Sequence, residues 1–356
     1  MEALNQEAQT PPDPRPAVTV APPGRRIPTL DGLRALSIGM VFLSHHFLAY
    51  PAIDALGQMG VRIFFILSGF LITVLLMKER AETGTVSLRQ FYLRRTLRIF
   101  PPCYAYIFVV GLLALAGKIH EIGMADFVHA LSYTVNYAPK THWVLQHLWS
   151  LGVEEQFYLL WPLAFVLLSP KNGTRLLIVC LAGVPLVRLG VVSGLIPSIN
   201  PGQSFHTVAD GLATGCLLAR LSKSPSFNDR IARIPHDAVG ALFLVAIGGA
   251  IAWAGVHPVS AFVLAPTLAN VAIALFVAKE IHPSRSLAFR LLNVPFVAQV
   301  GVWSYSLYLW QQPLLFHFAS PQIYHTFPFN YVILFALATG SYYLIERPCL
   351  RLRRYF

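Results

Sequence analysis

Apolar runs of the length that crosses a hydrocarbon layer recur along this chain from residue 31 to residue 345, separated by polar breaks of which the longest is residues 118–147. A bilayer interior offers no water to backbone N–H and C=O groups, so a crossing segment must satisfy them internally, which about 20 apolar residues do as an α-helix. Ten candidate spans can be placed, near residues 31–50, 60–77, 101–117, 148–168, 175–192, 206–220, 237–254, 260–278, 295–318 and 329–345. With 55% of residues hydrophobic and 12% charged, the chain is too apolar for a soluble domain of its length. The expected fold class is all-α: a polytopic membrane helical bundle of about ten transmembrane helices with short loops.

The formal net charge of +11 would suggest nucleic acid only if the basic residues formed a polar face, whereas here they flank apolar runs. Membrane lipids are the expected surroundings and nucleic acid is not an expected partner. With both termini in the cytoplasm, every Lys and Arg except Arg62, Lys118, Lys140 and Arg188 falls in a cytoplasmic segment or at the end of a span beside one. That asymmetry is the positive-inside pattern of a multi-pass protein. Residues 1–29, rich in proline and polar residues, lack the apolar core and cleavage site of a signal peptide and read as a disordered cytoplasmic tail. Residues 30–348 form the expected membrane domain and 349–356 a basic cytoplasmic tail. Cys103, Cys180, Cys216 and Cys349 lie far apart without ligand spacing, so no disulfide framework and no metal site are expected.

Ionisable groups inside spans are costly and are functional candidates by default. The first span, LDGLRALSIGMVFLSHH (30–46), holds Asp31, Arg34 and His45. The eleven-residue step from Arg34 to His45 is about three helical turns and a rise of ~16 Å, which returns both side chains to nearly one face. Arg34 then lies near the cytoplasmic end and His45 toward the outer side of one interior; interfacial anchoring is the plainer alternative. The fourth run, HLWSLGVEEQFYLLWP (147–162), puts Glu154 and Glu155 at the depth assigned to His45. A carboxylate beside an imidazole fixes its tautomer and stabilises the imidazolium. Adjacent residues on a helix point about 100° apart, so only one of the two glutamates can face a given cavity. A solvated helix start is the alternative for both. Asp210, in FHTVADGLATGCLLA (205–219), is either a further buried functional acid or a packing contact, and Arg62 and Arg188 stay in or beside spans without an assigned role.

The first cytoplasmic loop ends in FYLRRTLRIFPP (91–102), where a helix brings Arg98 onto the face of Arg95 or Arg94. Guanidinium forks suit phosphate oxygens, which points to the nucleotide end of a phosphorylated donor. A positive-inside stop signal or a contact to anionic headgroups explains the same charges equally well.

Taken together, DGLRAL with His45 eleven residues after Arg34, GVRIFFILSGFLIT (60–73), FYLRRTLRIFPP, HLWSLGVEEQFYLLWP, SYSLYLWQQP (304–313) and YYLIERP (342–348) resemble acyltransferase family 3 in order and spacing. The resemblance covers residues 30 to 348. It implies a bacterial inner (cytoplasmic) membrane enzyme that moves an acyl group, most often acetyl, from cytoplasmic acyl-CoA to a hydroxyl of a saccharide or glycolipid acceptor. Acyl-CoA is thereby a donor substrate, and no permanently bound cofactor is expected. By the same resemblance Arg34 and His45 take the family's first-span positions, Arg95 and Arg98 its paired arginines, with Arg94 beside them, and Glu154 and Glu155 its acidic segment. Arg62 stands where many relatives have Asp, Gln311 where many have His, and His206 near a position where Arg is common. Some relatives carry an additional extracytoplasmic hydrolase-like domain, for which these loops leave no room.

The residues permit a direct mechanism in which neutral His45 takes the acceptor's proton as its oxygen attacks the thioester, Glu154 or Glu155 orients the ring, and Arg34, Arg95 and Arg98 hold the donor. Ser44 and Cys216 are weaker candidates as nucleophiles. Asp31, Asp210, Arg62, Arg188, Trp149 and Tyr305 are candidates for structural or acceptor-side roles, and Trp143, Tyr158 and Trp303 for sugar contact. A transporter or flippase for a lipid-linked sugar or organic anion is the competing reading, using the same charges as a translocation path.

Overall fold

The computed structural model describes residues 27–47, 51–315 and 326–355. Most of the expected tail therefore lies outside the described residues, as do 48–50 and 316–318 of two candidate spans. Every regular element among the described residues is helical. In order these are α1 (Pro28–His46), α2 (Pro51–Thr83), α3 (Leu88–Leu115), α4 (Met124–Leu131), α5 (Trp143–Gln146), α6 (Trp149–Leu167), α7 (Pro170–Val192) and α8 (Phe205–Val208). There follow α9 (Asp210–Leu221), α10 (Pro225–Arg233), α11 (His236–Val256), α12 (Pro258–Glu280), α13 (Leu287–Leu292), α14 (Pro295–Trp310), α15 (Gln312–Leu315), α16 (Phe329–Ser341) and α17 (Arg347–Leu352).

Five helices among the described residues are long and apolar enough to cross a membrane: Ile53–Thr83 of α2, then α3, α7, α11 and α12. The remaining candidate spans are helical but shorter or more polar. α6 carries both glutamates, α9 has 12 residues, or ~18 Å of rise, and α14 has 16 residues before it breaks. The 206–220 candidate is divided between α8 and α9 at Ala209. Conversely, α2 and α3 overrun their apolar runs because charged ends continue the helices. Glu79 on α2 pairs with Arg94 on α3 at 2.9 Å and accepts from the Ser87 N–H at 2.8 Å, closing the hairpin between them. Gly84 allows the turn, adopting φ +76° where its N–H caps the Arg80 carbonyl.

Tight helix crossings hold the bundle, chiefly α1 on α2 and α14, α2 on α9, and α11 on α12. Without a hydrophobic drive between helices in lipid, small residues that let backbones meet supply the packing. At the α2–α9 crossing, a Cβ on Gly69 would strike the Leu212 carbonyl and one on Gly215 the Ile66 carbonyl. At the α1–α14 crossing, Gly301 lies against the Asp31 carbonyl in the same way. Cys216 belongs to the first of these contacts, its Sγ donating to the Gly69 carbonyl at 3.4 Å.

A buried charge cluster ties α2, α7, α9 and α12 together. Asp210 pairs with Arg188 at 2.7 Å and with Arg62 at 3.3 Å, and accepts from Thr267 Oγ1 at 2.7 Å. Arg188 also donates from Nε to the Thr207 carbonyl at 2.7 Å. Arg62, which the sequence left without an assigned role, is thus matched by a carboxylate in the same cluster. Removing that carboxylate leaves two guanidiniums buried without their acid, a loss of the kind that costs about 3–5 kcal/mol. Asp210→Ala is accordingly expected to lower the thermal unfolding midpoint of the purified protein sharply, while Thr267→Ala has a smaller effect; equal midpoints for Asp210→Ala and the unaltered protein would contradict this.

Candidate active site

Four helices, α1, α2, α6 and α14, contribute to both of two adjoining spaces, α3 to the first alone and α5 and α15 to the second alone. The larger, about 340 Å³, is lined by Asp31 and Arg34 of α1, Ser68 and Lys78 of α2, Arg95 and Arg98 of α3, Glu154 and Tyr158 of α6, and Tyr305 and Tyr308 of α14, among apolar neighbours. The smaller, about 100 Å³, is lined by Ser44 and His45, Asp54 and Gln58, Trp143, Gln146, His147, Trp149, Gln203, Tyr308 and Gln312. Val61 and Tyr308 line both. Along each of the four helices the residues of one space precede those of the other, so the two spaces are stacked along the bundle axis. Arginines cluster toward one end and the imidazole lies toward the other.

In the larger space, Arg34 Nη1 binds Asp31 Oδ1 at 2.6 Å, a pair one helical turn apart at the start of α1. The Arg95 guanidinium lies 5.0 Å from the centre of the Tyr158 ring, a cation–π contact. Arg98 has no acidic partner among the described residues. Arg94, grouped with these two in the sequence, is instead turned toward Glu79 and lies outside the cavity lining. Tyr305 donates to the Ile99 carbonyl at 2.6 Å and ties α14 to the arginine-bearing helix.

Glu154 belongs to this basic space. It accepts from Ser68 Oγ at 2.9 Å and from the Tyr158 hydroxyl at 3.0 Å. Glu155 lines neither space. The expected carboxylate–imidazole pairing is therefore absent from this geometry. Its physical reason is depth: Ser68 lies ten residues, about 15 Å, along α2 from Gln58 at the level of His45. On α6 the residue level with His45 is Trp149, and Glu154 lies more than a turn deeper.

An amide chain holds His45 instead. Its Nδ1 lies 2.6 Å from Gln311 Oε1, Gln311 Nε2 donates to Gln312 Oε1 at 3.0 Å, and Gln312 Nε2 donates to the Trp143 carbonyl at 3.0 Å. The direction of the chain follows from its far end, because a backbone carbonyl can only accept. Each amide must then present its NH₂ toward Trp143 and its oxygen toward His45, so Nδ1 carries the proton and Nε2 keeps the lone pair. Both glutamines are buried. The sequence places them through Pro313, which has no N–H to give to Leu309, so α14 stops at Trp310, Gln311 forms the bend and Gln312 opens α15.

His46 is turned from this site toward α16, its ring 5.8 Å from that of Tyr331. His147 is buried beside the chamber against Tyr106 and Tyr308, with ring-centre separations of 5.4 and 5.3 Å. Tyr308 forms the wall between the spaces. Its hydroxyl donates to the His147 carbonyl at 2.7 Å and accepts from Ser150 Oγ at 2.7 Å, which fixes the ring. Trp143 lies edge-on to His45 at 5.4 Å, while Trp303 lines neither space. Arg62, Arg188 and Asp210 also lie outside both linings, in the structural cluster described above, and Cys216 is a packing contact rather than a neighbour of His45. Among the described residues no group of three His, Cys, Asp or Glu is placed to hold a metal ion.

A family model described as an acyltransferase domain, that of acyltransferase family 3, matches residues 27–347. The chain belongs to acyltransferase family 3. It is 32% identical over 337 residues to a Staphylococcus aureus (strain COL) protein provisionally named an O-acetyltransferase, covering 85% of this chain and 52% of that one. To the O-acetyltransferase OatA of S. aureus strain NCTC 8325 it is 31% identical over 357 residues, covering 91% of this chain and 57% of the relative. The chain thus spans about half the length of the curated relatives it matches. No solved structure matches it.

Proposed function

We propose that this chain is a membrane O-acyltransferase that takes an acyl group, acetyl by its relatives' names, from acyl-CoA and transfers it to a hydroxyl of a saccharide or glycolipid. The observation that carries this reading is the direct adjacency of a cavity holding Arg34, Arg95 and Arg98 to a chamber holding an oriented imidazole, with Val61 and Tyr308 common to both. Phosphates held by the guanidiniums leave the extended arm of the donor to run along the bundle axis, delivering its thioester toward the wall between the spaces. There His45 Nε2 removes the proton of the acceptor hydroxyl as its oxygen attacks the thioester carbonyl. The tetrahedral intermediate then collapses, expelling the CoA thiolate and leaving an ester on the acceptor.

The amides of Gln58, Gln146 and Gln203 with the indoles of Trp143 and Trp149 give the small chamber both hydrogen-bonding groups and apolar faces, a lining suited to a polyol. In this reading the helices that the structure leaves short complete ten spans in a bacterial inner membrane. Both termini are cytoplasmic, the basic cavity faces the cytoplasm and the histidine chamber lies toward the outer side.

The test is transfer of labelled acetyl from acetyl-CoA to a panel of saccharides by the purified protein in lipid nanodiscs. Arg95→Lys and Arg98→Lys keep the charge but lose the planar fork, and each is expected to raise the donor KM about 10-fold, the loss of roughly one charge-assisted hydrogen bond. Unchanged donor KM in both variants would remove guanidinium recognition, and absence of saturable acyl-CoA binding by the unaltered protein would remove the donor assignment itself.

A further inference from the structure

α16 does not continue directly into α17. Tyr342–Glu346 between them form a π-helical segment. α17 and the 3₁₀ turn Arg353–Tyr355 then pack against α3, the helix that carries Arg94, Arg95 and Arg98. The expected basic tail is therefore structured through Tyr355 and applied to the arginine-rich helix.

Arg353 is half-buried there, with its Nε enclosed and without a hydrogen-bond partner. Burial, followed by the charges of Arg98, Arg95 and Arg94, draws its guanidinium down to about 10. Of the acids nearby, Glu79 pairs with Arg94 and Asp31 with Arg34, while Glu154 and Glu155 lie within reach of the Arg95 charge. Glu346 accepts from Ser306 Oγ at 3.0 Å. Among the described residues no carboxylate pairs with Arg98 or Arg353. Like charges brought together with too few acids repel, and an anion of several charges, bound between them, is what relieves that repulsion.

We infer that Arg353 joins Arg95 and Arg98 in holding the phosphates of the donor, so that the carboxyl-terminal turn is part of the donor site. This inference rests on the acyl-CoA reading above. Anionic lipid headgroups offer the same phosphate chemistry, and the test separates the two sources.

The full chain is reconstituted in nanodiscs of phosphatidylcholine, with and without phosphatidylglycerol, and CoA affinity and the acetyl-CoA KM are measured for Arg353→Gln and Arg353→Lys. Arg353→Gln is expected to weaken CoA binding and raise KM about 10-fold in both lipids, with kcat within about twofold. Arg353→Lys should recover part of the loss, and use of acetyl-pantetheine, which has no phosphate, should not change. An unfolding midpoint equal to that of the unaltered protein checks that the helix end remains docked. Unchanged CoA affinity in Arg353→Gln overturns the inference while leaving the donor reading intact. An effect confined to phosphatidylglycerol nanodiscs assigns Arg353 to lipid and also overturns it. If the unaltered protein binds no CoA, the donor reading fails first and this inference with it.

Discussion

His45→Ala is expected to lower acyl transfer about 10³-fold, the usual scale for removing a general base, while the protein still inserts, folds and binds CoA. The expectation follows from the separation of functions along the bundle axis. The guanidiniums of the basic cavity do not touch His45, whose Nδ1 is held by Gln311 instead, so donor binding should survive its loss. His46→Ala should change the rate only a few-fold, because His46 packs toward Tyr331 and lines neither space. A neutral imidazole is the active form of a base, so the rate of the unaltered protein should fall as pH is lowered and His45 becomes protonated. Substantial turnover by correctly folded His45→Ala would show that the proton leaves by another route, and a selective loss in His46→Ala would move the assignment one residue along.

That the two histidines face different ways was legible in the sequence because a helix converts spacing into direction. Eleven residues return a side chain to its starting face, and the structure does place Arg34 and His45 on the lining of adjoining spaces along α1. The same logic placed a helix in every candidate span but could not say how far each extends. The charged ends of α2 and α3 lengthen those helices through Glu79–Arg94 pairing, which no count of apolar residues reveals. At Ala209 and at Gln311, interruptions shorten two others.

Contacts between helices were less legible than faces within them. Glu154 and His45 were expected at one depth because each lies near the outer end of its apolar run. A shift of less than two turns in α6 relative to α1 is enough to move Glu154 onto Ser68 and Tyr158, beside the arginines. Relative axial position is set by close backbone contacts, such as Gly301 on Asp31, whose partners lie some 270 residues apart. Asp210 shows the same limit. Its pairing with both Arg62 and Arg188 depends on three helices meeting, whereas the sequence displays only isolated charges. Gln311 did carry a local signal, the Gln-Gln-Pro run that ends α14 and leaves two amides at a bend. What they bind becomes apparent only when α1 and α5 are brought beside them.

Gln311→Leu is expected to reduce kcat about 10- to 100-fold with the donor KM nearly unchanged, the range seen when the hydrogen-bond partner that orients a metal-bound histidine is removed. The substitution removes the acceptor at His45 Nδ1 and the donor to Gln312 together, freeing the ring to exchange tautomers and rotate. Gln311→Glu separates orientation from shape. Its carboxylate can still accept from Nδ1, so turnover should recover well above that of Gln311→Leu at alkaline pH. It also stabilises the protonated imidazolium, which requires a higher pH to generate the neutral base, and the acidic limb of the pH–rate profile should move upward. It cannot donate to Gln312, so Gln312→Leu should cost less in the Gln311→Glu background than in the unaltered protein, because the link between the two side chains has already been cut. The measurement is kcat against pH for the three single variants and the double variant in the same nanodiscs. A purely packing role predicts equal loss in Gln311→Leu and Gln311→Glu with no displacement of the acidic limb, and that result would remove the amide chain from the mechanism.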